Sequence, residues 1–180
     1  MTALVASFAV LAAIYLFITR RGVTEIYPIF AACAAVTVAS IGWCVAAWIA
    51  HRNAIRQNTV NLIFARFSQA TFSDSMHRFH AEFGYDVKDI VSTERILNVR
   101  KRDSDGAKAS ETPSYLLNYF EFIAAGVMNG DLDAKIVRDN IRGYISYYYD
   151  KCEAYIFEAN TRNPRAFEFL RKLRTHYREP

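Results

Sequence analysis

Residues 26–50 read IYPIFAACAAVTVASIGWCVAAWIA, twenty-five consecutive side chains without a charge. A helix rises about 1.5 Å per residue, so this run is long enough to cross the roughly 30 Å hydrocarbon core of a bilayer with some tilt. Tyr27 stands toward one end of it and Trp43 and Trp48 toward the other, where amphipathic rings sit at membrane interfaces. On the N-terminal side, across the short charged link RRGVTE, lies a second uncharged run, TALVASFAVLAAIYLFIT, at about 2–19. A cleaved signal peptide would carry positive charge before its apolar run and small residues after it, whereas Arg20 and Arg21 follow this one. Two spans joined by so short a link form an antiparallel transmembrane hairpin, residues 1–50. Ala31, Ala35 and Ala39, and again Gly42, Ala46 and Ala50, recur every fourth position, allowing close helix approach in lipid either within the hairpin or between copies.

From His51 onward the composition changes. There 20 Lys and Arg stand against 17 Asp and Glu, a well-mixed balance without the concentrated basic face that nucleic-acid binding requires. Residues 51–180 therefore read as a water-facing domain. Arg52 and Arg56 follow the second span and favour the cytoplasmic side for the domain, against the pull of Arg20 and Arg21 in the link. The single cysteine of this part, Cys152, excludes an internal disulfide framework and agrees with a reducing compartment. The expected arrangement is multi-pass, with the domain on the cytoplasmic side of the membrane.

Apolar residues recur at helical spacing throughout, and no strand-like alternation competes. Residues 51–70 extend the second span as one rod. Ser73 is the expected N-cap of a short helix ending at Gly84, and a further helix fits residues 86–100. Residues 100–111, RKRDSDGAKASE, hold nothing apolar larger than Ala and read as a mobile loop. Thr112-Pro113 then opens the expected central core helix, which stops at Gly130. Asp131 caps a long helix to about residue 159, and Asn163-Pro164 opens the last one, with Phe167, Leu170 and Leu173 or Tyr177 inward. The predicted fold is all-α: a two-helix transmembrane hairpin followed by a bundle of about four or five helices.

The stretches LLNYFEFIAAGVMNGDLD (Leu116–Asp133) and NPRAFEFLRKL (Asn163–Leu173) resemble a bacterial family of small membrane-anchored helical domains catalogued only as a domain of unknown function. The resemblance implies the architecture and, with the charge pattern, places the expected multi-pass protein in the inner membrane of a bacterium with its domain inside; it assigns no catalytic residue or ligand.

Candidate chemistry is sparse. His77 and His80, three apart on a helix, could share a metal with Glu82 or Glu121, although the Glu-x-x-His repeat of di-iron bundles is missing. Glu121 interrupts an apolar helix; an ion pair with Arg138 or Arg142 is the preferred expectation, and a general acid or base the alternative. Tyr144, Tyr147, Tyr148 and Tyr149 cover more than one helix face and suggest a partner surface. Arg171, Lys172 and Arg174 are candidates for lipid head groups. No phosphate loop, dinucleotide fingerprint, zinc-protease motif or nucleophile elbow is present, and no cofactor is expected. The leading expectation is a non-enzymatic membrane-tethered interaction or regulatory module that binds a protein partner or its own copies. Two alternatives accompany it: a membrane-active effector that oligomerises through its hairpin, and an enzyme using Glu121 with His77 and His80.

Overall fold

The computed structural model describes Tyr15 and residues 27–178. The expected first span, about 2–19, lies outside the described residues except for Tyr15. Seven helices are described: α1 (Tyr27–Phe67), α2 (Ala70–Phe83), α3 (Thr93–Arg100), α4 (Ser104–Asn129), α5 (Ala134–Lys151), α6 (Glu153–Arg162) and α7 (Glu168–Arg178). No strand occurs among the described residues. The chain divides into two units, residues 1–52 and 53–180.

In the first unit, Pro28 fits the opening turn of α1, where a missing N–H leaves no bond unmade. The side chains that follow are exposed through Arg52, Cys33 alone being half-buried. They include Trp43 at 80% and Val38 at 69%. Thr37 and Ser40 donate their hydroxyls to the carbonyls of Cys33 and Val36 within the helix, so neither side chain needs water for a partner. Among the described residues α1 is the one helix long and apolar enough to cross a membrane.

In the second unit the remainder of α1 contributes Ile63 and the fully buried Thr59. The expected rod from the second apolar run into this region is thus one helix, ending at Phe67. The central element is α4, which packs against α2, α3, α5 and α7. It brings Leu116, Leu117, Phe120, Ile123 and Ala124 into a core with Phe72, Phe79, Phe83, Ile141, Ile145, Tyr148 and Leu170.

Several expected boundaries are corrected. The loop expected at residues 100–111 is mostly helix. Asp103, in an extended conformation, accepts the amide of Gly106 at 2.6 Å and caps α4 at Ser104. The small residues that suggested mobility are instead the contact with α3: Gly106, Ala109 and Ser110 are buried, and a Cβ on Gly106 would stand 2.3 Å from the carbonyl oxygen of Val99. Pro113 lies inside α4 and opens nothing. Its missing N–H frees the carbonyl of Ala109, four residues back, and Thr112 Oγ1 donates to that carbonyl at 2.7 Å. The repair comes from the residue next to the defect.

Ser73 is not the N-cap of α2. Phe72 must enter the core, so the helix begins at Ala70 with Gln69 preceding it. Residues 84–92 are irregular, and Ser92 accepts the Arg95 amide to cap α3, so only the last part of the expected 86–100 helix forms. Gly84 ends α2 as expected. Gly130 ends α4 in the left-handed conformation (φ 80°), and Asp131 and Leu132 both donate their amides to the carbonyl of Gly126. That tight turn moves the cap to Asp133, whose carboxylate accepts the amides of Lys135 and Ile136. The expected long helix from Asp131 is two, α5 and α6, with Cys152 between them at φ −102°, ψ 16°. At this break the carbonyl of Lys151 accepts the amide of Val91 from the irregular segment. The last helix starts at Glu168 and not at Pro164, because Phe167 turns inward with φ 52°. Phe167, Leu170, Leu173 and Tyr177 do face the core. Among the described residues of the second unit, six helices besides the end of α1 stand where four or five were expected.

Candidate functional site

The alternation of α2 buries Phe72, Phe79 and Phe83 and leaves His80 beside them, half-buried. On α5 the same logic buries Ile141, Ile145 and Tyr148 and sets Tyr144 and Tyr147 along the flank. The irregular segment brings Tyr85 flat against His80, with ring centroids 4.3 Å apart and planes 8° from parallel. Together with Asn140 and Gly143 these residues line a groove of about 410 Å³, within the size range of small-molecule sites. Gly143 lies on the groove wall, and a Cβ placed there would meet nothing within 4 Å.

Both nitrogens of His80 are engaged. Nδ1 lies 3.3 Å from the hydroxyl of Tyr147, and Nε2 3.1 Å from that of Tyr148. Tyr147 also points its hydroxyl at the carbonyls of Tyr85 (3.1 Å) and Gly84 (3.5 Å), which can only accept. Its single proton therefore goes to a carbonyl, and its oxygen accepts from Nδ1–H. Nε2 is left unprotonated and accepts the O–H of Tyr148. Burial holds the imidazole below the ordinary histidine range, aided by Lys151 and His77, while the Gly84 carbonyl works the other way. Burial likewise pushes Tyr147 up to about 12 and raises Tyr148 further, so both phenols stay protonated at physiological pH.

Behind the groove Lys151 is fully buried, its Nζ donating to the carbonyl of Asp86 at 2.5 Å. Burial lowers its pKa, opposed first by Asp89. Sequence reasoning missed this lysine. The signal was available: Lys151 is three residues after Tyr148 and so on the same helical face.

The other expected site residues are placed apart from this groove. His77 is exposed. Among the described residues no three of His, Cys, Asp and Glu gather as metal ligands. Glu121 does not pair with Arg138 or Arg142. Its carboxylate accepts the backbone amides of Phe169 (3.1 Å) and Leu170 (2.6 Å) in the first turn of α7, where two orphan donors and the positive end of the helix dipole await an anion. Arg138 sits by Asp139, and Arg142 donates to the carbonyl of Tyr177. Of the four tyrosines, Tyr144, Tyr147 and Tyr148 line the groove together and Tyr149 is not among its lining residues: Tyr148 is core, Tyr147 and Tyr149 are half-buried, and Tyr144 is exposed while its ring touches Phe67. Arg171 donates to the carbonyl of Pro164, Lys172 pairs with Glu168, and Arg174 grips Asp150 through two bonds of 3.1 and 2.6 Å.

A family model described as a domain of unknown function, DUF4760, matches residues 29–177. The chain belongs to DUF4760. The match includes both stretches on which the resemblance was drawn, and it begins within the apolar part of α1, so this DUF4760 domain takes in that segment with the helical unit. No curated protein and no solved structure matches the chain.

Proposed function

We propose that this DUF4760 chain is a membrane-tethered helical module that binds a protein partner, or a second copy of itself, through the groove between His80, Tyr85, Tyr144 and Tyr147. The observation that carries the tether is the run of exposed apolar side chains on α1 from Pro28 to Ala50. So large an apolar surface is compatible with lipid and not with water. The apolar run at 2–19 completes the hairpin in this reading, and Arg52 and Arg56 favour a cytoplasmic domain. The groove supports the binding role because Tyr85 and Tyr144 remain 72% and 45% exposed beside it.

Two measurements test the reading. The full chain should stay with membranes through alkaline carbonate extraction; release into the supernatant would remove the tether. Purified in mild detergent, it should run as a complex larger than the 20.6 kDa monomer, and Gly143→Leu, whose Cβ has open space and whose longer side chain occupies the groove, should reduce it to the monomer. A monomer in both cases, or a complex indifferent to the substitution, would overturn the binding role.

A further inference from the structure

We propose that a second groove, between α2 and α3, binds a small zwitterion of the amino-acid class, with Arg95 taking its carboxylate and Glu94 its ammonium. This groove has a volume of about 490 Å³, within the range of small-molecule sites, and shares no lining residue with the tyrosine groove. It stands independently of the partner reading.

Helical register builds one wall. Arg95, Asn98 and Val99 stand at i, i+3 and i+4 on one face of α3. The turn that follows, in which the Arg102 amide donates to the Val99 carbonyl at 3.2 Å, sets Arg102 beside them. From α2, Glu82 faces this wall, and its carboxylate accepts a hydrogen bond from the Arg102 guanidinium. Those two charges satisfy each other.

One cation and one anion of the groove do not. Arg95 and Glu94 both line it, yet among the described residues neither has an ion-pair partner, and they do not pair with each other. The Arg95 guanidinium is nonetheless held in place. Its Cζ lies 5.5 Å from the centre of the buried Phe83 ring, and Nη1 is 3.5 Å from the Ile90 carbonyl, at the limit of a hydrogen bond. A fork already positioned loses little freedom on binding and can meet both oxygens of a carboxylate. Two neutral groups complete the lining. Ser92 Oγ accepts the Arg95 amide at 3.2 Å and keeps its own proton to donate, and the Asn98 side chain makes no hydrogen bond among the described residues. A purely anionic ligand would meet the carboxylates of Glu82 and Glu94, and a purely cationic one the two arginines. A molecule carrying both charges finds an opposite charge at each end.

Calorimetric titration of the full chain in detergent with each of the twenty free L-amino acids tests this. At least one should bind with a millimolar or tighter Kd. For that amino acid, N-acetylation removes the positive charge and conversion to the carboxamide removes the negative one, and each should weaken binding tenfold or more. Arg95→Gln and Glu94→Gln should do the same, whereas Gly143→Leu, in the tyrosine groove, should leave the affinity unchanged. Glu94 is exposed, so Glu94→Gln keeps the fold and decides alone if Arg95→Gln does not fold. Failure of all twenty to bind, binding that survives loss of either ligand charge, or binding indifferent to Glu94→Gln would overturn the proposal. Loss of a co-purifying protein in Glu94→Gln, without amino-acid binding to the wild type, would also overturn it and give the groove to a protein contact.

Discussion

Removing the carboxylate of Glu121 should destabilise the domain through the start of α7. The two amides it accepts, at 3.1 and 2.6 Å, belong to the first turn of the helix and have no partner within it. A hydrogen bond to a charged group contributes roughly 1.5–3 kcal/mol. The site is half-buried, so water recovers part of that when the side chain goes. Loss of an N-cap costs about 0.5–2 kcal/mol, and loss of the anion at the dipole about 0.3–1 kcal/mol. Glu121→Ala should therefore lower stability by about 2–3 kcal/mol. Glu121→Gln keeps an acceptor oxygen and loses only the charge, and should cost about 1 kcal/mol. In thermal unfolding of the detergent-solubilised chain, each kcal/mol appears as roughly 2–8 °C in Tm. Arg138→Ala and Arg142→Ala provide the contrast, since neither arginine touches the carboxylate. Equal losses for Glu121→Gln and Glu121→Ala, or a loss of the same size from either arginine substitution that is not additive with Glu121→Ala, would refute the capping role.

Gly106→Ala should destabilise by about 1–3 kcal/mol, because the new methyl meets the backbone of Val99 and α3 must retreat from α4; unchanged Tm would contradict that packing. The Ile136 amide, with Arg56 and the Lys135 amide, holds the Asp133 carboxyl below the ordinary carboxylate range despite partial burial. Its stabilising effect is full above that range and fades as pH falls through it toward the folded value, so Asp133→Asn should flatten the acid limb of a stability-versus-pH curve. A parallel, undiminished limb would show that other groups carry it. Cys152 is fully buried and burial pushes its thiol up to about 12, so an impermeant thiol reagent should leave it unmodified until the protein unfolds. Sidedness is better read from Asn118→Cys, placed at an exposed position of α4. With a cytoplasmic domain it labels only after permeabilisation, and labelling in intact cells would put the domain outside.

Hydrophobic period carried most of the helices, because an apolar stripe at every third or fourth residue leaves few folded alternatives. Leu116, Phe120 and Ile123 stood out in this way, as did Ile141, Ile145 and Tyr148. The start of α4 was illegible for the opposite reason. Gly106, Ala109 and Ser110 bury small surfaces against a neighbouring backbone, so their contribution lies in closeness of approach and leaves no hydropathy signal. Pro113 misled because its ordinary place is a first turn, and the Thr112 hydroxyl that repairs the broken ladder looks like an N-cap in sequence. The role of Glu121 was hidden because its partners are main-chain amides, which no residue type announces. Lys151 was hidden by its charge, which suggested solvent where the helix face pointed inward.

The bond between Thr59 and Asp133 bears on where the chain can be cut. Thr59 is fully buried, donates to the carbonyl of Ile55 and accepts the Asp133 amide at 2.9 Å, while Arg56 reaches the same aspartate at 3.2 Å. These residues belong to the helix that begins in the apolar segment, yet they are structural members of the folded unit that starts at Asn53. A fragment beginning near Asn53 keeps both Arg56 and Thr59 on Asp133. One beginning after Thr59 leaves the amide at the head of α5 without its acceptor, so a version of the domain freed of the apolar segment must retain the last turns of α1 from about Asn53.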